Sequence, residues 1–398
     1  MQMLVIADDM TGAADAAAAL VGPQGCAEVL CSASVVPESQ SGVIAVDLDT
    51  RRMDASAAAT TVAALAASPI AQQFEIFKKI DSTLRGHIAV ELDALARARN
   101  VGGTVNVLYV ITPAHPELGR QVIDGRLHVR GEPVASIRPL MRDLQARGFH
   151  CVKIPAGARP SRDSDGRVAW LCDASTVEDL QHIVRAARNA STSIVWVGSA
   201  GLAQAIQALD EGCTSGSVAS LPASGCGVGG ANGTGNIAFL VGSFSSVARS
   251  QVRALKADGV ACFELGSRTD DAALGSMCDA VRRAGGQGDV VICIDPSSEV
   301  RPEHADVLAC SLARAALACL HDLSALVICG GDTARAVFES MGVARLTIRR
   351  STESGATCAL LEEMPRLRLV LKAGAFGDEQ QLVRLRRRLS SFAERDSV

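Results

Sequence analysis

Short apolar runs recur along the chain, each closed by a polar or glycine-bearing cluster and followed by a stretch with helical spacing. In the first half the strand-like runs are residues 3–7, 43–47, 105–111 and 194–198. Helical patterns occupy 11–21, 54–67, 87–99, 136–147, 176–189 and 200–209. The second half repeats this grammar, with strands expected at 237–241, 290–294, 325–329 and 368–372. Its helices are expected at 246–257, 270–284, 303–320, 333–341 and 378–392. Alternation of this kind predicts an α/β fold in two lobes, each a largely parallel sheet flanked by helices. Between the lobes, residues 213–236 are dominated by glycine, serine and alanine and cannot bury enough apolar surface to fold alone. The expected organisation is therefore a domain at 1–212, a linker at 213–236 and a domain at 237–398.

Composition narrows the function. A length of 398 residues fits two or three domains, and 48% hydrophobic with 21% charged residues is a globular profile. Aromatics make up only 3%, which leaves few stacking platforms, and a net charge of -4 supplies no basic field; nucleic acid is not an expected partner. No uncharged apolar stretch approaches the roughly 18 residues of a membrane span. The 13 cysteines include no C-x-x-C pair, and most, such as Cys293, Cys319 and Cys329, lie in apolar runs as small hydrophobes. Their odd number and the lack of a leader peptide point to a reducing, cytoplasmic setting. The 7 histidines show no H-x-x-x-H spacing, so a structural zinc is not expected.

The first strand ends in Asp8-Asp9, followed by Met10-Thr11-Gly12 and an alanine-rich helix. Adjacent carboxylates repel and gain nothing from packing, yet the carboxyl end of a parallel strand is where ligands bind in such sheets. Asp8 and Asp9 could hold Mg²⁺, accept bonds from substrate hydroxyls or take a proton. Asp15 shares a helical face with Thr11, as a site residue or as an exposed acid near the helix start. After Phe74-Glu75-Ile76-Phe77 comes Lys78-Lys79-Ile80-Asp81-Ser82-Thr83-Leu84-Arg85-Gly86, a polar cluster expected at the same edge. Arg51 leaves another strand with a guanidinium able to clamp a carboxylate bidentately, whereas Arg52 reads as a surface residue. Pro113-Ala114-His115-Pro116 is either a rigid turn or a source of a substrate donor in His115. Gly198-Ser199-Ala200-Gly201 is an anion turn, a hinge or a helix cap.

Three turns of the second half share one design. Ile237–Val241 runs into Gly242-Ser243-Phe244-Ser245, Ala325–Cys329 into Gly330-Gly331-Asp332-Thr333, and Leu369–Lys372 into Ala373-Gly374-Ala375-Phe376-Gly377. Glycine lets backbone N–H groups approach an anion, and the following helix adds free donors and a positive dipole end. One such turn is ordinary; three in one lobe favour a polyphosphate site. No G-x-x-x-x-G-K-[ST] is present, and none of the three turns carries G-x-G-x-x-G.

With these motifs in this order, the sequence resembles the four-carbon acid sugar kinase family over most of its length. The resemblance implies an N-terminal domain that binds a short sugar acid and a C-terminal domain that binds ATP, with Mg²⁺. It also implies phosphorylation of the terminal hydroxyl of a tetronate such as D-threonate, D-erythronate or a 3-oxo-tetronate. Carried over by position, Asp8, Arg51 and the run Lys79, Asp81, Ser82, Thr83, with Arg85 beside it, are substrate contacts. Ser243, Ser245, Gly330, Gly331, Asp332, Thr333 and Gly374 are ATP contacts. Asp332 and Ala373 are more similar to the threonate and erythronate branch. Departures fall at Ser354–Thr357, where a Pro-Gly element is usual, and at Val247–Arg249, where a threonine is usual. In the expected mechanism the acid's carboxylate is held by Arg51 with Lys79 or Arg85, and Asp8 or Asp9 aligns the terminal hydroxyl, with lobe closure excluding water. An aspartyl phosphatase would require aspartates two apart, and position 10 is Met. A catalytically inactive regulatory protein that binds nucleotide or sugar acid is the remaining alternative. A homodimer is compatible with the alanine-rich helix at 54–67, which could equally pack on its own sheet.

Overall fold

The computed structural model describes residues 2–22, 25–33, 42–99, 106–158, 160, 166–211, 235–267, 269–298, 304–349 and 355–395. The expected linker falls almost wholly outside the described residues, as does Ser354. The chain divides into two compact units, Met1–Ser220 and Leu221–Val398.

The first unit contains β1 (Met3–Ala7), α1 (Met10–Leu20), β2 (Cys26–Leu30), β3 (Val43–Asp47), α2 (Ala55–Ala66), α3 (Pro69–Gln73), β4 (Glu75–Lys79), α4 (Ile88–Arg99) and β5 (Val107–Thr112). It continues through β6 (Arg120–Ile123), β7 (Arg126–Val129), β8 (Glu132–Ser136), α5 (Arg138–Ala146), β9 (His150–Ile154), β10 (Arg167–Cys172), α6 (Val177–Ala190), β11 (Ile194–Gly198) and α7 (Ala200–Asp210). The main sheet has the order β2-β3-β1-β4-β11-β5-β10-β9, and every pairing in it is parallel. Its central strands are buried on both faces, with β1, β3 and β11 covered along their whole length, as a helix-sandwiched parallel sheet requires. Helices α1, α6 and α7 pack together, while α2 packs on α4 and α4 on α5. The chain therefore leaves β1 toward one helical layer and leaves β3 and β4 toward the other. That reversal opens a crevice at the carboxyl ends of these strands.

A separate antiparallel sheet, β6-β7-β8, follows β5 and was not expected from the sequence. Its turns are Asp124-Gly125 and Arg130-Gly131, with all four residues at positive φ. This is the two-residue hairpin geometry whose twist matches that of the strands. The hairpin docks on the loop after β10: Val122 bridges Ala174, and Gly125 N–H donates to Asp173 Oδ1 at 2.9 Å.

The second unit contains β12 (Asn236–Val241), α8 (Ser246–Ala257), β13 (Ala261–Leu265), α9 (Asp271–Gly285), β14 (Val290–Ile294) and α10 (Ala305–Leu317). Then come β15 (Leu323–Cys329), α11 (Gly331–Met341), β16 (Arg345–Arg349), β17 (Ala356–Leu360), β18 (Arg368–Lys372) and α12 (Gln381–Arg395). The strand order is β13-β14-β12-β15-β18-β17-β16. The first five are parallel and β17 runs against both neighbours, so the sheet is mixed at one edge. One core joins Phe239, Val241, Val327 and Val370 of the sheet to Val252 and Leu255 of α8 and to Leu382 and Leu385 of α12. Helices α9, α10 and α11 pack with one another elsewhere. The adjacent strands β12 and β15 thus send their chains to different helical layers, and a second crevice opens between them.

Candidate active site

In the first unit the carboxyl ends of β3, β1 and β4 gather one ion cluster. Asp9 is the N-cap of α1: its Oδ1 accepts from Gly12 N–H at 2.9 Å, and its Oδ2 accepts from Thr11 Oγ1 at 3.1 Å. Arg51 sits in a short 3₁₀ turn after β3 and engages both aspartates. Nε donates to Asp8 Oδ2 and Nη2 to Asp8 Oδ1, each at 3.0 Å, while Nη1 donates to Asp9 Oδ2 at 3.0 Å. Three of the five N–H donors of Arg51, the residue expected to clamp a substrate carboxylate, thus meet protein carboxylates. This one guanidinium bridges the like-charge pair and offsets part of its repulsion, with Lys78 and Lys79 adding further positive charge at Asp8. Burial pushes the Asp8 carboxyl above its ordinary range, with Asp9 adding to the shift and Arg51 opposing it.

The loop after β4 is organised by Asp81. Its Oδ2 accepts from Thr83 N–H at 3.0 Å and from Arg85 Nε at 3.0 Å, its Oδ1 accepts from Arg85 Nη2 at 2.9 Å, and the Thr83 hydroxyl also donates to it. Burial works against ionisation there, but Arg85 and then Arg51 hold the carboxyl well below its usual range. Leu84 takes φ of 64° within the loop, a left-handed conformation that the bonds to Asp81 sustain. Ser82 is buried, Thr83 is half-buried and Arg85 exposed. Lys79 is buried, and its Nζ donates to Ile80 O at 2.9 Å. A Cβ at Gly12 would collide with Asp9 and come within 3.1 Å of Lys79 Nζ. Only glycine there lets α1 start this close to the end of β4.

Sequence reasoning missed the support beneath this cluster. Lys78 Nζ lies 2.8 Å from Glu91 Oε2 of α4, with both side chains buried, and donates to Lys79 O at 3.3 Å. A lysine pointing off an apolar strand opposite a helix glutamate was the available signal. Asp15 is partly exposed, yet burial of its carboxyl pushes its pKa up to about 6, against the pull of Lys79. His115 is buried, and burial, then Arg120 and Lys79, drive its pKa down to about 3, so it is a neutral imidazole. Ser199 is a helix cap: its Oγ accepts from Gly201 N–H at 3.2 Å and donates to Ala114 O at 2.6 Å.

In the second unit the three glycine turns leave three adjacent strands, in the order β12-β15-β18, and they touch. Gly242 N–H donates to Cys329 O at 3.1 Å, and Gly330 N–H to Lys372 O at 3.0 Å. Ser245 caps α8 through Ala248 N–H at 3.0 Å and donates to Gly374 O at 2.7 Å. A Cβ at Gly242 would fall on the Thr333 hydroxyl, and one at Gly374 on the Ser243 side chain. Gly330 has φ of 120° and begins α11, whose first turn carries exposed Asp332 and buried Thr333. The β18 turn is braced by two residues to which the sequence assigned no role. Lys372 Nζ donates to Phe376 O at 2.8 Å, and Gln251 Nε2 donates to Asp378 O at 2.7 Å. Two helix N-termini and several hydroxyls thus gather at one sheet edge, donors of the kind that anions take.

Two family models match the chain in separate stretches. Residues 3–150 match a family model described as the sugar-binding N-terminal domain, and residues 238–382 one described as the nucleotide-binding C-terminal domain. The D-threonate kinase of Cupriavidus necator is 31% identical over 96% of each chain. The 3-oxo-tetronate kinase of Methylobacterium radiotolerans is 28% identical over 94% of this chain and 95% of its own. A solved structure from Salmonella typhimurium LT2 superposes with a TM-score of 0.73 at 21% identity, covering 97% of this chain and 99% of that one; this likeness is one of fold.

Proposed function

This chain belongs to the four-carbon acid sugar kinase family, and from that premise we propose that it transfers the γ-phosphoryl group of ATP to the terminal hydroxyl of D-threonate. The observation that carries the reading is Arg51 holding Asp8 and Asp9 together at the β1 edge. Phosphoryl transfer needs an aligned hydroxyl with a modest base more than it needs covalent chemistry. In this reading residues 1–212 bind the sugar acid and residues 237–398 the nucleotide.

Asp8 accepts the proton of the terminal hydroxyl, a step that its raised pKa favours. Asp9 orients the same hydroxyl and fixes the start of α1. Arg51 acts through both aspartates, and the acid's carboxylate falls to Lys79 and Arg85, with Ser82 and Thr83 meeting the remaining hydroxyls. Ser243, Ser245, the turn from Gly330 to Thr333, and Gly374 cradle the phosphates. Asp332 is an exposed carboxylate at that cradle, the ligand type that Mg²⁺ takes alongside nucleotide phosphates. A bound Mg²⁺ supplies charge neutralisation on the transferring group.

The test is ADP release with Mg-ATP across D- and L-threonate, D- and L-erythronate, 3-oxo-tetronates and glycerate. D-threonate is expected to give the highest kcat/KM. Preference for a 3-oxo-tetronate would move the chain to that branch. Nucleotide binding without turnover on any acid would replace the kinase reading with that of a binding protein.

A further inference from the structure

The parallel register of β13 on β14 pairs Cys262 with Val291 and Glu264 with Cys293. Residues two apart on a strand share a face, so Cys262, Glu264 and Cys293 converge on the side of the sheet where Cys262 and Cys293 border the α8 core. The two sulfurs are 3.9 Å apart, and Cys262 Sγ is 3.9 Å from Glu264 Oε1. All three ligand atoms lie within 4.8 Å of one another. Linear spacing hides this, because the cysteines are 31 residues apart. We propose that Cys262, Glu264 and Cys293 form a binding site for a thiophilic divalent cation of the Zn²⁺ class, separate from the phosphoryl-transfer residues.

The dimensions fit such an ion. Two thiolates at about 2.3 Å from a tetrahedral centre have their sulfurs about 3.8 Å apart. The carboxylate supplies a third ligand, and the half-exposed position of Cys262 leaves the fourth open to water. Charge also closes: a dication with two thiolates and one carboxylate leaves one negative charge, and Lys256 Nζ stands 3.0 Å from Glu264 Oε1. Metal binding releases the thiol protons to solvent, so affinity rises with pH. The bound ion would tie the edge strand β13 to β14.

The experiment titrates Co²⁺ into the reduced, chelator-stripped full-length protein and follows thiolate-to-cobalt charge-transfer absorption. One equivalent is expected to bind, to be displaced by Zn²⁺ and to raise the melting temperature. Cys262→Ser and Cys293→Ser each remove the band, Glu264→Gln keeps the band but weakens binding, and Cys310→Ser, an exposed cysteine elsewhere, changes nothing. Because Glu264 is exposed, its variant separates lost ligation from lost folding. Absence of the band, or a band that survives Cys262→Ser with unchanged affinity, would overturn the site. So would a Glu264→Gln variant that binds like the parent.

Discussion

Arg51 is the residue on which the first unit's chemistry turns, because its three nitrogen donors are divided between Asp8 and Asp9. Removing it leaves two adjacent carboxylates without their cation, and the buried one then takes up a proton. Arg51→Met should therefore lose activity even with saturating substrate. Asp8→Asn, which keeps shape and removes the base, should lower kcat by about 10²–10⁴-fold with the fold intact. Because the proposed role of Asp8 needs the ionised carboxylate and burial raises its pKa, kcat/KM should fall as pH drops, at a higher pH than an unshifted aspartate would give. An Asp9→Asn variant with wild-type turnover would remove Asp9 from the scheme. Asp15 gives a stability test. Its folded pKa of about 6 stands above the ordinary 3.8, so the folded state binds the extra proton. The resulting stabilisation is complete below pH 3.8 and lost as pH rises through about 6. Asp15→Asn should thus be more stable than the parent at pH 7, on the order of 1–3 kcal/mol, with the difference vanishing near pH 4 in thermal melts.

At the scale of elements, the strands that carry chemistry were readable because each is an apolar run stopped by polar residues, as at Asp8 and Gly330. What the sequence hid is pairing. The antiparallel β6-β7-β8 sheet consists of short, half-exposed strands without strong alternation, and only the Asp124-Gly125 turn announced it. β16 did carry a signal that the expected elements left out, the period-two alternation of Arg345-Leu346-Thr347-Ile348-Arg349. The pairing of Lys78 with Glu91 was only half legible for another reason: a buried ion pair also depends on which helix covers which strand. Glu91→Leu would strand Lys78 Nζ in the core beneath β4 and should cost about 3–5 kcal/mol in urea unfolding. The paired change Lys78→Met with Glu91→Leu should recover most of that loss.

Across the whole molecule the account assigns acid recognition to the first unit and nucleotide recognition to the second. Gly374→Ala, whose methyl group would displace Ser243, should raise KM for ATP and leave KM for the acid within about twofold. Arg85→Ala should do the reverse. Among the described residues no helix is long and apolar enough to cross a membrane. The most direct test of the account is phosphorus NMR, with proton coupling, of the product formed from Mg-ATP and D-threonate. The account predicts a new monoester resonance coupled to the two protons of the terminal methylene, and its absence with Asp8→Asn at equal enzyme and time. Inorganic phosphate alone, phosphate on a secondary hydroxyl or an acyl phosphate would contradict it.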